Sequence, residues 1–364
     1  MFFLVSVCTE EFRRMMRMRA LYRKFGIDTS ISRDSPQLLR RVRRSFGGRL
    51  VLLDWSSSSV LADTSIVGVS GIAARDDTVI ACSWIDQCVY TLRGREKISA
   101  LTHRWFNYIH SIDVTPRNTY LLASAGSDLI VEVTADGQVV WEWFGAEHGY
   151  VTRPEGTVAF FDRSADYRPM RRATAEQAMH VTSAILLPNN TVLATLFHQG
   201  QLISIDQRTG DVTLRLDGLS KPHAIHRRHG GFMLSDTLGH RILLIDDELN
   251  ICSEIACGFQ WLQEAICTSA GTYFVLENVH IDQLPDSDLN NRLTEIDGAG
   301  TQLVSLEVAS DYRLFAACEV SEALARELAL VWGNTGDFNF LTPSRRVVES
   351  CSRSGGEEKR DAFV

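Results

Sequence analysis

The sequence predicts an all-β chain folded as a single β-propeller of about six blades. Three observations carry that expectation. A strand-and-turn pattern recurs about every 40 residues. Residues suited to tight turns separate the strands at matching places. The two ends of the chain hold pieces of one further repeat.

Five segments share the plan. They begin at Val69 (VSGIAARDDTVIACSWIDQCVYTL), Ile109 (IHSIDVTPRNTYLLASAGSDLIVEVTADGQVVWEW), His180 (HVTSAILLPNNTVLATLFHQGQLISIDQRTGDVTLRL), Pro222 (PHAIHRRHGGFMLSDTLGHRILLIDDELNICSEI) and Gln263 (QEAICTSAGTYFVLENVHIDQL, resuming at NRLTEIDGAGTQLVSL). Each reads as a short strand, a polar turn, an apolar strand, a second turn, an alternating strand, and a last turn and strand. The turns PRN, PNN, HGG, DG and TG have the residues that tight reversals need. The sixth blade is split. FFLVSVC resembles a second strand, GGRLVLLDW a third, and YRLFAACEV, after Asp311, supplies the innermost strand. Closure of this kind ties the ends together and removes sheet edges. Residues 1–342 therefore form the propeller, with insertions at 9–46, 144–179 and 278–290. The polar stretch 343–364 is expected to be a mobile tail.

Composition bounds the function. The 364 residues are 45% hydrophobic and 23% charged, as in an ordinary globular protein. A net charge of −8 argues against a nucleic-acid partner. No apolar run approaches the ~18 residues of a membrane span, so no membrane role is expected. The N-terminal MFFLVSVCTEEFRR lacks a basic region before its short apolar run and makes a poor signal peptide. The cysteines Cys8, Cys82, Cys88, Cys252, Cys257, Cys267, Cys318 and Cys351 match neither a zinc spacing nor a disulfide framework. A reducing, cytoplasmic compartment fits them.

The run SDTLGHRILLID (Ser235 to Asp246) resembles the NHL-repeat signature, with Gly239 where Asn is usual. The segment from His110 to Trp143 resembles blades of arylsulfotransferase-type propellers. PHAI at Pro222 and HSI at His110 resemble the blade starts of peptidyl-amidating lyase. The last resemblance implies zinc held by histidines near the channel axis. A propeller does not by itself fix an activity.

Aligning the blades on Val79, Tyr120, Val192, Phe232 and Tyr273 matches Ile72, Ile112, Ile225 and Ile266. Two residues earlier stand Ser70, His110, His223 and Glu264, with Thr182 or, through a bulge, His180 in the third repeat. The first strand of a blade is innermost, so His110, His223, Glu264 and His180 are expected around the channel mouth. Histidines with a carboxylate suit a divalent metal, zinc or iron, held by His110, His223 and Glu264. The same four residues suit acid–base catalysis. His103, His198, His229 and His240 read as surface or turn residues.

The three insertions fall in links that share one propeller face, above that mouth. The first reads as a basic helix, EEFRRMMRMRALYRKFG, followed by a short helix SPQLLRRVRRSF. Its Arg13, Arg17, Arg40 and Arg44 suit an anionic substrate or an acidic protein or carrier domain. The second offers Arg153, Tyr167 and Arg171 as substrate contacts, or as residues packing the loop onto the propeller. The third is acidic. Asp282, Asp286 and Asp288 lack the spacing of a calcium loop and suit a salt contact with the first.

The expectation is an enzyme acting on a small anionic organic substrate, by metal-assisted lyase or hydrolase chemistry at the His/Glu ring. Sulfuryl transfer through a channel histidine, and a non-catalytic docking role for the basic insertion, are the alternatives.

Overall fold

The computed structural model describes residues 1–24, 44–94, 96–170, 172–256, 258–280, 289–333 and 340–342. They form six four-stranded antiparallel sheets. Strands β1 (Phe2–Thr9), β2 (Arg49–Asp54) and β3 (Ser59–Ser65) belong to the blade that closes the ring. The first continuous blade is β4 (Val69–Arg75), β5 (Thr78–Ser83), β6 (Cys88–Arg93) and β7 (Glu96–Leu101). The second is β8 (Ile109–Val114), β9 (Tyr120–Ser124), β10 (Leu129–Val133) and β11 (Val139–Phe144). The third is β12 (Val181–Leu186), β13 (Thr191–Leu196), β14 (Gln201–Asp206) and β15 (Val212–Leu216). The fourth is β16 (Pro222–Arg228), β17 (Gly231–Asp236), β18 (Arg241–Ile245) and β19 (Ile251–Ala256). The fifth is β20 (Trp261–Cys267), β21 (Tyr273–Asn278), β22 (Asn291–Ile296) and β23 (Gln302–Val308). Strand β24 (Arg313–Val320) completes the closing blade as its innermost strand. The six innermost strands touch in sequence around the ring, β24 to β4 and on through β8, β12, β16 and β20 back to β24.

The split blade is the one the sequence predicts. β24 pairs with β1, Phe2 opposite Val320 and Val5 opposite Ala317. Ser6, fully buried, locks the join: its hydroxyl donates to the Ser70 carbonyl at 2.7 Å and accepts the Ala316 N–H at 2.9 Å. Similar latches link other blades. The Ser70 hydroxyl donates to the Ile109 carbonyl at 2.6 Å and Thr182 to the Pro222 carbonyl at 2.9 Å. Between blades the packing is apolar. Phe3 of the closing blade stacks on Phe274 of the fifth at 4.0 Å, with Trp55 edge-on to Phe274 at 4.9 Å. Burying such aromatics, with the aliphatic clusters between other blades, contributes to the adhesion between blades.

Turn chemistry follows the sequence. The PRN and PNN turns place Asn118 and Asn190 at φ 60° and 61°, the left-handed region that Asn tolerates. Gly231 of HGG sits at φ 131°, where a Cβ would meet the Ile245 carbonyl at 2.1 Å.

Helix α1 (Phe12–Lys24) is the predicted basic helix. Phe12 and Met15 pack with Phe46 and Val279, so the first and third insertions meet through an apolar cluster. The charged contact expected between them involves Asp282, Asp286 and Asp288, which lie outside the described residues. So do most of the second basic helix and the tail 343–364. A second helix, α2 (Glu322–Trp332), was not anticipated. Ser321 caps it by accepting the Leu324 N–H at 3.2 Å, and Leu324, Ala325 and Leu328 are buried against the closing blade. No helix among the described residues is long and apolar enough to cross a membrane.

Candidate functional site

Five of the innermost strands, β8, β12, β16, β20 and β24, and β4 as well, carry a register shift near their start. In β8, β12, β16 and β20 the residue at the bulge is His110, Thr182, His223 and Gln263. The matching positions in β4 and β24 are Ser70 and Phe315. These six form a throat ring. Two residues earlier on each chain stand Gly68, Tyr108, His180, Lys221, Trp261 and Arg313. These form a rim at the entry to the throat: Gly68, Tyr108, His180 and Lys221 stand immediately before their innermost strands, and Trp261 and Arg313 are the first residues of β20 and β24.

The rim is set by side-chain acceptors that hold its backbone. Tyr108 N–H donates to Gln87 Oε1 at 2.7 Å. Asp128 accepts the N–H groups of Ala178, Met179 and His180 at 2.8, 2.9 and 3.1 Å. Asp236 accepts from Ser220, Glu277 from Gln260 and Asn278 from Leu314, at 2.6, 2.7 and 3.0 Å. Gly68, Tyr108, His180 and Lys221 all take left-handed backbone, φ 49–60°. For the three non-glycines this conformation costs free energy, which the clamps offset.

Three imidazoles meet at the mouth. The His110 ring lies 5.3 Å from His180 and 5.1 Å from His223. All three are buried, at 5%, 3% and 7% exposure. Phe315 packs on His110 at 4.6 Å, Phe197 on His180 at 5.0 Å, and Trp261 on His223 at 5.7 Å. Burial lowers the pKa of His110 to about 3. Burial first, then neighbouring positive groups, holds His180 and His223 well below the ordinary value. The rings are therefore neutral near pH 7. His223 Nδ1 is buried without a hydrogen-bond partner among the described residues.

Glu264 does not join them. The sequence alignment is one residue off in the fifth blade, where the bulge residue is Gln263. Gln263 Oε1 accepts the Trp261 indole N–H at 3.0 Å. Glu264 sits one step deeper, with Oε1 2.5 Å from His226 Nε2 and Oε2 accepting the Ala317 N–H at 3.0 Å. Beside that pair along the channel wall, Arg227 forks onto Asp113 at 2.8 and 2.9 Å. His180 likewise belongs to the rim and Thr182 to the throat. Among the described residues no three His, Cys, Asp or Glu side chains are disposed to hold a metal ion. The zinc or iron shell of His110, His223 and Glu264 does not fit this arrangement, since its carboxylate is committed elsewhere.

Three of the expected substrate contacts, Arg13, Arg44 and Tyr167, are engaged by the propeller itself. Arg13 donates to the Ser310 hydroxyl at 2.9 and 2.7 Å, and Arg44 pairs with Asp86. Arg17 is exposed. Arg153 donates to Thr157 at 3.3 Å. Tyr167 is fully buried, its hydroxyl accepting the Asp162 N–H at 3.0 Å, and packs the second insertion onto the second blade. Arg40 and Arg171 lie outside the described residues.

Sequence reasoning missed Tyr108, Phe197, His198, Lys221, Trp261 and Arg313. His198, read as a turn residue, lies 5.8 Å from His180, with Nε2 2.8 Å from the Thr174 carbonyl. The signal for the rim was present: Tyr108, Lys221, Trp261 and Arg313 each stand two before a throat position.

No protein-family model matches the chain, and no curated protein matches it in sequence. Solved structures do. A protein of unknown function from Bacteroides caccae aligns with TM-score 0.56 at 12% identity, over 75% of this chain and 95% of its own. A propeller from a nidogen/laminin complex aligns with TM-score 0.53 at 9% identity, over 87% and 97%. Virginiamycin B lyase from Staphylococcus aureus aligns with TM-score 0.49 at 10% identity, over 75% and 88%. At such identities the likeness is one of fold. The chain is a six-bladed β-propeller, in line with the NHL-type resemblance of its fourth blade.

Proposed function

We propose that the chain is an enzyme acting on a small organic anion at the channel mouth, with His110 and His223 as acid–base groups. The observation that carries this reading is the meeting of three neutral histidines from the second, third and fourth blades, beside two cations, Lys221 and Arg313. Only a neutral imidazole can accept a proton. A bound anion stabilises the imidazolium by opposite charge and raises its pKa toward the working range. The histidines would thus become effective bases only with substrate present. His223 Nδ1, without a partner, is the acceptor best placed for a proton from substrate or water. His110 would return a proton to the leaving group. This supports elimination or hydrolysis, and no step runs through a metal. A reducing compartment suits the six described cysteines, all free. Arg13 and Arg44 of the basic insertion bind the propeller itself, whereas Arg17 is exposed.

The test is turnover of a panel of small organic anions, followed by mass spectrometry. The variants His110→Gln and His223→Gln should each lower turnover by roughly 100-fold or more. Wild-type protein inert toward the panel, or variants matching it, would overturn the proposal.

A further inference from the structure

The rim contains one cation whose surroundings are those of a receptor. Arg313 opens β24, in the arc between the fifth blade and the closing blade. Its guanidinium carbon lies 4.8 Å from the Phe12 ring centroid and 5.4 Å from that of Trp261. Such cation–π contacts hold the group between its aromatic neighbours. A guanidinium has five N–H donors. Among the described residues one protein acceptor is found, the Val279 carbonyl, 3.0 Å from Nη1. No carboxylate of the described residues pairs with Arg313, although Asp, Glu and Arg elsewhere pair freely. Nearby Glu277 is bound to Arg292 and Glu264 to His226. Arg313 as a residue is half-buried, and burial of its charged group lowers its pKa to about 10.

The neighbours of this group are aromatic. Trp261 stands 5.7 Å from His223 and 6.5 Å from Phe197, which is 5.5 Å from His223 in turn. The Tyr108 ring lies 6.3 Å from His110. Lys221 sits 5.0 Å over Phe197 and also lacks an ion-pair partner among the described residues.

We infer that Arg313 is the specificity residue of the mouth, and that it receives the carboxylate of an aromatic carboxylic acid whose ring lies among Trp261, Phe197 and Tyr108. The inference rests on the mouth being the substrate site, and it moves anion recognition from the basic insertion to a single residue of an innermost strand. A carboxylate matches the planar fork with two parallel bonds, which Lys in the same place does not reproduce. The seated ring would bring its side chain against His223, whose Nδ1 has no partner.

Calorimetric titration with three probes tests this. Phenylacetate has both features, 2-phenylethanol lacks the charge, and cyclohexylacetate lacks the aromatic ring. Wild-type protein should bind phenylacetate at least roughly tenfold more tightly than either of the others. Arg313→Gln should weaken phenylacetate by about tenfold or more, with Arg313→Lys between. Thermal melting of each variant establishes that it is folded. No heat from phenylacetate at about 10 mM, equal affinity for 2-phenylethanol, or unchanged binding in a folded Arg313→Gln variant would overturn the inference. Turnover lost in His110→Gln with phenylacetate binding indifferent to Arg313→Gln would overturn it while leaving the acid–base reading intact.

Discussion

Acidification should unfold this propeller earlier than its carboxylates alone require. His110, His180 and His223 are buried as neutral rings, their pKa values depressed in the fold. In the unfolded chain each titrates near 6.5. Below that value the unfolded state binds protons that the folded state refuses, so stability falls as pH falls through 6.5. At pH 5.5 the penalty is roughly 1–2 kcal/mol per histidine, and near zero at pH 7.5. For the three together it reaches about 4 kcal/mol, a large part of a typical ~5–15 kcal/mol stability. His198 and His103, also depressed by burial, act in the same direction. Urea unfolding at pH 7.5 and 5.5, followed by tryptophan fluorescence, measures the difference. His110→Gln should remove about a third of the three-ring effect. Stability that is flat between the two pH values, or a pH dependence unchanged in His110→Gln, would refute the reasoning.

Other outcomes follow from the same geometry. Ser6→Ala should cost about 1–3 kcal/mol, because it leaves the buried Ala316 N–H without its acceptor at the ring closure; urea midpoints would show it. Leu328→Ala should cost about 2–5 kcal/mol by opening the α2 contact with the closing blade. Glu264→Gln should leave phenylacetate affinity at the wild-type value, since Glu264 lies below the throat and is held by His226 and Ala317. Elemental analysis of the purified protein should find no stoichiometric zinc or iron. One equivalent that is lost in His110→Ala would contradict acid–base chemistry without a metal at the histidine group.

The architecture was legible because it repeats. A tight-turn signal (PRN, PNN or HGG in the second, third and fourth blades) and an apolar second strand recur from blade to blade, and the split blade could be assembled from FFLVSVC, GGRLVLLDW and YRLFAACEV. The site was legible to the level of a ring and no further. His110 and His223 were placed by counting back from a shared isoleucine. That count fails at the fifth blade, where Ile266 pairs with Phe274 and the bulge falls on Gln263. A bulge inserts one unpaired residue without any composition change, so its position is invisible in one sequence. Arg313 was missed for a different reason. It opens a strand at the far end of the chain from its cation–π partner Phe12, and only closure brings the two together. Helix α2 had a readable start, Ser321 followed by Leu324, Ala325 and Leu328 at helical spacing, directly after the last strand of the blade repeat.

A crystal structure with phenylacetate would show whether the histidine mouth, and not another part of the channel, takes an organic anion. Density is expected with the carboxylate in the plane of Arg313 and the ring against Trp261, within reach of His223. Phenylacetate seated instead beside Arg227 and His226, at the deeper end of the channel, would contradict it.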